Sequence, residues 1–76
     1  MLEAAVRRSG TASQWVLVGD LYREAYAREK REERAESLFR AAVRAYKRAL
    51  RVQPGNVAAL ARLKSLGVDV AEFLGR

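Results

Sequence analysis

The stretch RAYKRALRVQPGN, from Arg44 to Asn56, contains both a helix and the signals that end it. Most of its residues before Gln53 are strong helix formers, and Pro54 and Gly55 then break the pattern. Asn56 comes next, and its short polar side chain is typical of the residue that caps the start of a helix. The stretch therefore predicts one helix that ends before Pro54 and another that begins at about residue 57.

Apolar residues on both sides of this stretch recur at steps of three and four, which is the spacing of one buried helix face. The first series lies in a helix predicted to begin near Ser13, with Thr11 or Ser13 as its cap, and the third lies in a helix predicted over about 57–66. The three series are Trp15, Val18, Leu21, Tyr22, Ala25 and Tyr26; Leu38, Phe39, Ala42, Val43, Tyr46, Ala49 and Leu50; and Leu60, Leu63 and Leu66.

Two further glycines, Gly10 and Gly67, indicate where the first and last helices end. A short helix is predicted over about 2–9 before Gly10, and Gly67 is predicted to end the last helix. Asp69 is then expected to cap a final turn that returns Phe73 and Leu74 to the core. With 76 residues the chain is large enough for a single core, so we predict one all-α domain over 1–76.

The charged run REKREER, residues 28–34, separates the first two apolar series and contains no helix breaker. A heptad spacing continues through it, so one helix of about 40 residues, paired in a swapped or antiparallel dimer, stays open as an alternative. However, its Glu residues would interrupt the apolar seam of such a helix. We predict instead a turn near residues 29–33 that folds the two series onto each other as a hairpin.

Two motifs in these helices resemble the two halves of a tetratricopeptide repeat. They are W-x2-V-G-x2-Y, formed by Trp15, Val18, Gly19 and Tyr22, and A-x3-Y-x2-A-L-x3-P, formed by Ala42, Tyr46, Ala49, Leu50 and Pro54. In that family small residues let two helices approach, and an aromatic ring fills the gap between them. The chain departs from the family in the twenty steps from Tyr22 to Ala42, where the family has about nine. The resemblance thus implies an elongated repeat followed by a degenerate capping helix, in an interaction module.

So small a chain is expected to be only marginally stable, because a single core below roughly 80 residues seldom supplies more than ~3 to 5 kcal/mol. The chain has no Cys and no His, which excludes disulfides and His or Cys metal sites. A second copy of the chain is then the expected source of further stability, and we predict a homodimer.

The four apolar residues of the run Trp15-Val16-Leu17-Val18 cannot all face one side of a helix, so they are expected to be buried either within the chain or at a dimer contact. The candidate self-association residues are Trp15, Val16, Leu17 and Phe73.

The net charge of +6 is unevenly distributed, since residues 37–68 contain seven basic residues and no acidic one. On a helix, four of them fall within roughly 60 degrees of each other and a fifth flanks them. These five residues, called the basic face below, are Arg40, Arg44, Lys47, Arg48 and Arg51. Three interpretations compete: a solvated surface opposite Phe39, Val43 and Tyr46, a site for an acidic segment of a protein partner, and a nucleic-acid site.

The acidic cluster Glu29, Glu32, Glu33 and Glu36 is interleaved with Arg and Lys, which favours a solvated, mutually paired turn over a metal or acid-base site. No motif supplies a nucleophile with a positioned base or a cofactor-binding loop. We therefore predict a non-enzymatic protein without catalytic, metal or cofactor residues. Neither a secretory signal nor a membrane span is apparent, so the expected location is the cytoplasm.

Overall fold

The computed structural model describes residues 10–70, which form three α-helices and no β-strand. They are α1, Ala12–Arg28; α2, Glu32–Val52; and α3, Val57–Ser65. The predicted all-α class is confirmed. The helix predicted over 2–9 and the final turn with Phe73 and Leu74 lie outside the described residues. Within 10–70, the helices are too short or too polar to cross a membrane.

Local sequence signals set the ends of α1 and α3 as predicted. The backbone N–H of Gln14 donates to the Thr11 hydroxyl (3.2 Å), and the Thr11 N–H donates to the Gln14 side chain (3.1 Å). At α3 the Asn56 side chain accepts the Ala59 N–H at 2.8 Å. The helix ends in a Schellman motif, in which Gly67 adopts a φ of +79°. These caps satisfy backbone groups that have no partner within a helix.

The charged run contains a turn, so the predicted hairpin is confirmed and the continuous helix is excluded. Glu29 and Arg31 adopt extended backbone angles between α1 and α2. The Glu29 carboxylate accepts the backbone N–H groups of Lys30 (3.2 Å) and Arg31 (3.1 Å), which replaces hydrogen bonds that a continuing helix would make. The hairpin thus turns at a residue whose own side chain stabilises the break.

Contacts between α1 and α2 run in antiparallel order along the hairpin. The rings of Tyr26 and Phe39 lie 5.6 Å apart near the turn. Further along, the Tyr46 hydroxyl donates to Asp20 at 2.6 Å. At the open end the Arg48 guanidinium lies 5.8 Å from the centre of the Trp15 ring. The twenty steps from Tyr22 to Ala42 therefore run along the end of α1, through the turn and along the first half of α2.

The hairpin is closely packed at Gly19. A Cβ atom built there would lie 2.5 Å from the Tyr46 ring, which is fully buried. Glycine therefore allows α1 to approach the ring of α2. Helix α3 packs on α2 and contributes Ala59 and Leu63 to the core.

The hydrophobic core is small compared with the length of the described chain. Twelve apolar residues are buried in the described range, and five of them are alanines. Only Tyr46, Leu50 and Leu63 are large side chains that are fully buried. Because an alanine buries little apolar area, the hydrophobic stabilisation of this fold is modest.

Candidate interaction surface

The basic face of α2 forms one side of an open groove of about 550 Å³. Three apolar residues also line the groove: Phe39 and Val43 of α2, and Val68 after α3. All five predicted residues are brought together here: Arg40, Arg44, Lys47, Arg48 and Arg51. The groove, called the basic groove below, combines apolar surface with a row of cations.

The position of the apolar residues corrects one expectation from the sequence. The basic face was expected to lie opposite Phe39, Val43 and Tyr46, and this holds only for Tyr46, which is fully buried. Phe39 and Val43 are half-buried at the boundary between the core and the cations. The basic face therefore borders an apolar strip.

The basic residues differ in what they contact. Arg40 forms an ion pair with Glu36 one turn away, and both side chains are largely exposed. Arg48 lies over the Trp15 ring, a cation–π contact that ties it to α1. Arg51 is exposed, and Lys47 is half-exposed at the edge of the groove. Lys47 and Arg51 are therefore the residues that can be changed there with least effect on the fold.

A second, acidic recess lies towards the hairpin turn. It has a volume of about 540 Å³ and is lined by Tyr26, Ala35, Phe39 and three glutamates of the first two turns of α2. Those glutamates are Glu32, Glu33 and Glu36. Phe39 lines both recesses, so the acidic recess and the basic groove adjoin at this residue of α2. Within 10–70, no group of carboxylates is arranged to hold a metal ion.

The candidate self-association residues lie in different environments. Trp15 is 4% exposed and Val16 is 7% exposed, so both are buried within the chain and are removed from any dimer surface. Of the two alternatives for this run, Trp15 and Val16 follow burial within the chain. Leu17 is 58% exposed. Phe73 lies outside the described residues.

A polar network that the sequence did not reveal joins all three helices. Asp20 of α1 accepts hydrogen bonds from the Tyr46 hydroxyl of α2 (2.6 Å) and from Arg62 Nε of α3 (2.7 Å). A second Arg62 nitrogen lies 3.3 Å from the other carboxylate oxygen. The one available signal is that Asp20 is the only acidic residue between Glu3 and Glu24. The network fixes α3 relative to the hairpin.

The network shifts the pKa values of its members away from neutrality. Burial raises the pKa of Asp20, but hydrogen bonds from Arg62 and Tyr46 outweigh it, so the pKa of Asp20 lies below its usual value. Burial and the hydrogen bond to the carboxylate raise the pKa of the Tyr46 phenol. The hydrogen bond to Asp20 also raises the pKa of Arg62. All three groups thus keep their ordinary charge states near neutral pH, so the ion pair and the hydrogen bonds between the helices persist there.

Comparison with protein-family models, curated proteins and solved structures found no match for this chain.

Proposed function

We propose that this protein is a non-enzymatic interaction module of tetratricopeptide-like architecture that self-associates and binds an acidic protein segment in the basic groove. The architecture is supported by the hairpin and by the packing of Gly19 against Tyr46, since both residues belong to the motifs that resemble the repeat. The observation that carries the functional proposal is the groove itself, where five cations line the same open recess as Phe39, Val43 and Val68.

An acidic amphipathic segment fits this combination better than a nucleic acid does. Carboxylates of a helix or extended peptide can pair with the Arg and Lys side chains, while its apolar residues cover Phe39 and Val43. A nucleic acid also meets the cations, but single strands are usually held by exposed aromatic rings that stack on bases. Phe39 is the only aromatic residue among the described residues that line the groove, and it is half-buried. Binding of nucleic acid through the basic face is the alternative function.

Fluorescence anisotropy with two labelled probes separates the two functions. One probe is an amphipathic peptide of alternating Glu and Leu turns, and the other is a single-stranded oligonucleotide of similar charge. At about 0.15 M salt we expect the peptide to bind more tightly than the oligonucleotide. The pair Lys47→Glu/Arg51→Glu should weaken peptide binding at least ~10-fold, because two attractions become repulsions.

The matched control is Arg28→Glu/Lys64→Glu, which changes the net charge equally at exposed positions outside the groove. We expect it to change peptide affinity by less than about twofold, because neither side chain lines the groove and exposed charges are screened by salt. Equal losses in both variants would show that net charge and not the groove determines binding. Tighter binding of the oligonucleotide, lost in the groove variant, would favour the nucleic-acid function.

A further inference from the structure

Charges along the outer face of α2 are divided into an acidic half and a basic half. Glu33, Glu36, Arg40, Val43, Lys47 and Arg51 follow one another at steps of three and four. At about 100 degrees per residue they fall within roughly 80 degrees of each other, so they form one stripe along the helix. The stripe begins with two carboxylates, carries Arg40 and Val43 at its middle and ends with two further cations.

The stripe is open along its length. Its acidic half borders the acidic recess and its basic half borders the basic groove, and the two recesses meet at Phe39. The Arg40 and Glu36 side chains are 76% and 63% exposed. Their ion pair is solvated and contributes little, so it does not prevent Glu36 from pairing with another cation.

We propose that the acidic segment bound in the basic groove is the acidic half of α2 from a second copy of this chain, in an antiparallel, two-fold symmetric dimer. This rests on the proposed function and names its partner. In the matching register, Glu36 lies opposite Lys47 of the second copy and Glu33 lies opposite its Arg51. The symmetry axis then passes near Arg40 and Val43, midway between the paired residues.

Symmetry explains why one chain carries both halves. In a two-fold contact every pair is made twice, so a face that is acidic at one end and basic at the other complements itself. A parallel arrangement would place like charges opposite each other and is disfavoured. The antiparallel contact also covers Phe39 and Val43, the half-buried apolar residues that the single chain leaves at the edge of its core.

The size of the contact sets its expected strength. A helix of 21 residues is about 30 Å long, and a contact along one such face falls in the small class of specific interfaces. Each chain also carries a net charge of +6, which opposes association at long range. We therefore expect a dissociation constant in the micromolar range.

Charge reversal at the two ends tests the arrangement by sedimentation equilibrium between about 10 and 300 µM. Glu33→Lys/Glu36→Lys makes every charged residue of the stripe basic, and Lys47→Glu/Arg51→Glu makes both ends of the stripe acidic and leaves Arg40 as its one cation. We expect each variant alone to be at least ~10-fold weaker in dimerisation than the wild type, because like charges then face each other. An equimolar mixture of the two should form a heterodimer, since both of its contacts pair opposite charges.

The fourfold variant with all these reversals keeps the wild-type net charge and reverses the polarity of the stripe, so it should form a dimer again. The control Arg28→Glu/Lys64→Glu lowers the net charge to +2 and leaves the stripe intact, so it should dimerise at least as strongly as the wild type. Helical circular dichroism confirms that each variant is folded. A monomeric wild type, or double variants that dimerise as well as the wild type, would overturn the proposal, and the second result would direct attention to Leu17.

These measurements can reject the dimer and the proposed function independently of each other. If the wild type is monomeric but still binds the acidic peptide through Lys47 and Arg51, the second copy is not the partner and the proposed function remains. If dimerisation follows the charge-reversal pattern but the peptide does not bind, the groove accepts only its own chain. A mixture that fails to associate while the wild type dimerises would contradict the antiparallel register.

Discussion

Replacing Gly19 with Ala is expected to lower the free energy of unfolding by about 2 kcal/mol. The added Cβ would lie 2.5 to 2.8 Å from three atoms of the Tyr46 ring, which is enclosed by the core and hydrogen-bonded to Asp20. Overpacking of a core costs about 1 to 3 kcal/mol, and three contacts below 3 Å with a fully buried ring place this site at the upper end, about 3 kcal/mol. The ~1 kcal/mol that Ala gains over Gly in a helix then leaves a net loss of about 2 kcal/mol. Against a total of ~3 to 5 kcal/mol, this removes about half of the stability.

Thermal unfolding followed by circular dichroism measures the loss, which corresponds to a fall in Tm of roughly 10 °C for a domain of this size. Gly55→Ala is the matched control, because a Cβ at Gly55 meets no atom within 4 Å and its φ is not positive. We expect that control to be neutral or slightly stabilising, through the lower entropy of its unfolded chain. A Gly19→Ala protein as stable as the wild type would show that the two helices are not held this close.

Replacing Asp20 with Ala is expected to cost about 2 to 3 kcal/mol, since hydrogen bonds to charged groups are the strong ones. The change removes the acceptor of the buried Tyr46 hydroxyl and the partner of Arg62 at the same time. Chemical denaturation measures this cost. Glu24→Ala is the control, because Glu24 is an exposed acid on the same helix and should change stability by less than about 0.5 kcal/mol.

The pH dependence of this effect has a defined sign. Because the pKa of Asp20 is lower in the folded chain, its contribution is fully present above the ordinary range of an Asp carboxyl, near pH 4. It is lost as the pH falls through the folded pKa. The stability difference between the wild type and Asp20→Asn should therefore shrink as the pH is lowered from 7 towards 3. A difference that stays constant would show that the charge of Asp20 does not contribute.

The helix ends could be predicted from the sequence because the groups that determine them are local. Thr11 and Asn56 cap backbone groups three residues away, and Gly67 provides a φ that other residues avoid. The hairpin was also predictable from the local sequence. The glutamates of the charged run would interrupt the apolar seam that a continuous helix needs for pairing with a second helix. The contribution of the Glu29 side chain to the turn was not foreseen, although it too is local.

The parts that could not be predicted depend on contacts between residues that are distant in the sequence. Asp20 and Arg62 are 42 residues apart, and a helical period shows which face a residue occupies but not which polar groups meet across it. The burial of Trp15 and Val16 on different sides of α1 depends on what covers each side. The same limit applies to the basic face, whose members were identified from spacing alone. Its apolar border of Phe39, Val43 and Val68 required the packed structure.

Distances between spin labels test the paired arrangement of α2 most directly, because the chain has no native Cys and a single introduced Cys reports only on distances between copies. Ser37→Cys and Val52→Cys are exposed positions that leave the charged stripe intact. With the axis near Arg40 and Val43, we expect about 15 to 20 Å between labels at residue 37 and about 35 Å at residue 52, plus the reach of the label. Equal short distances at both positions, or no dipolar signal at concentrations near 300 µM, would contradict the antiparallel pairing.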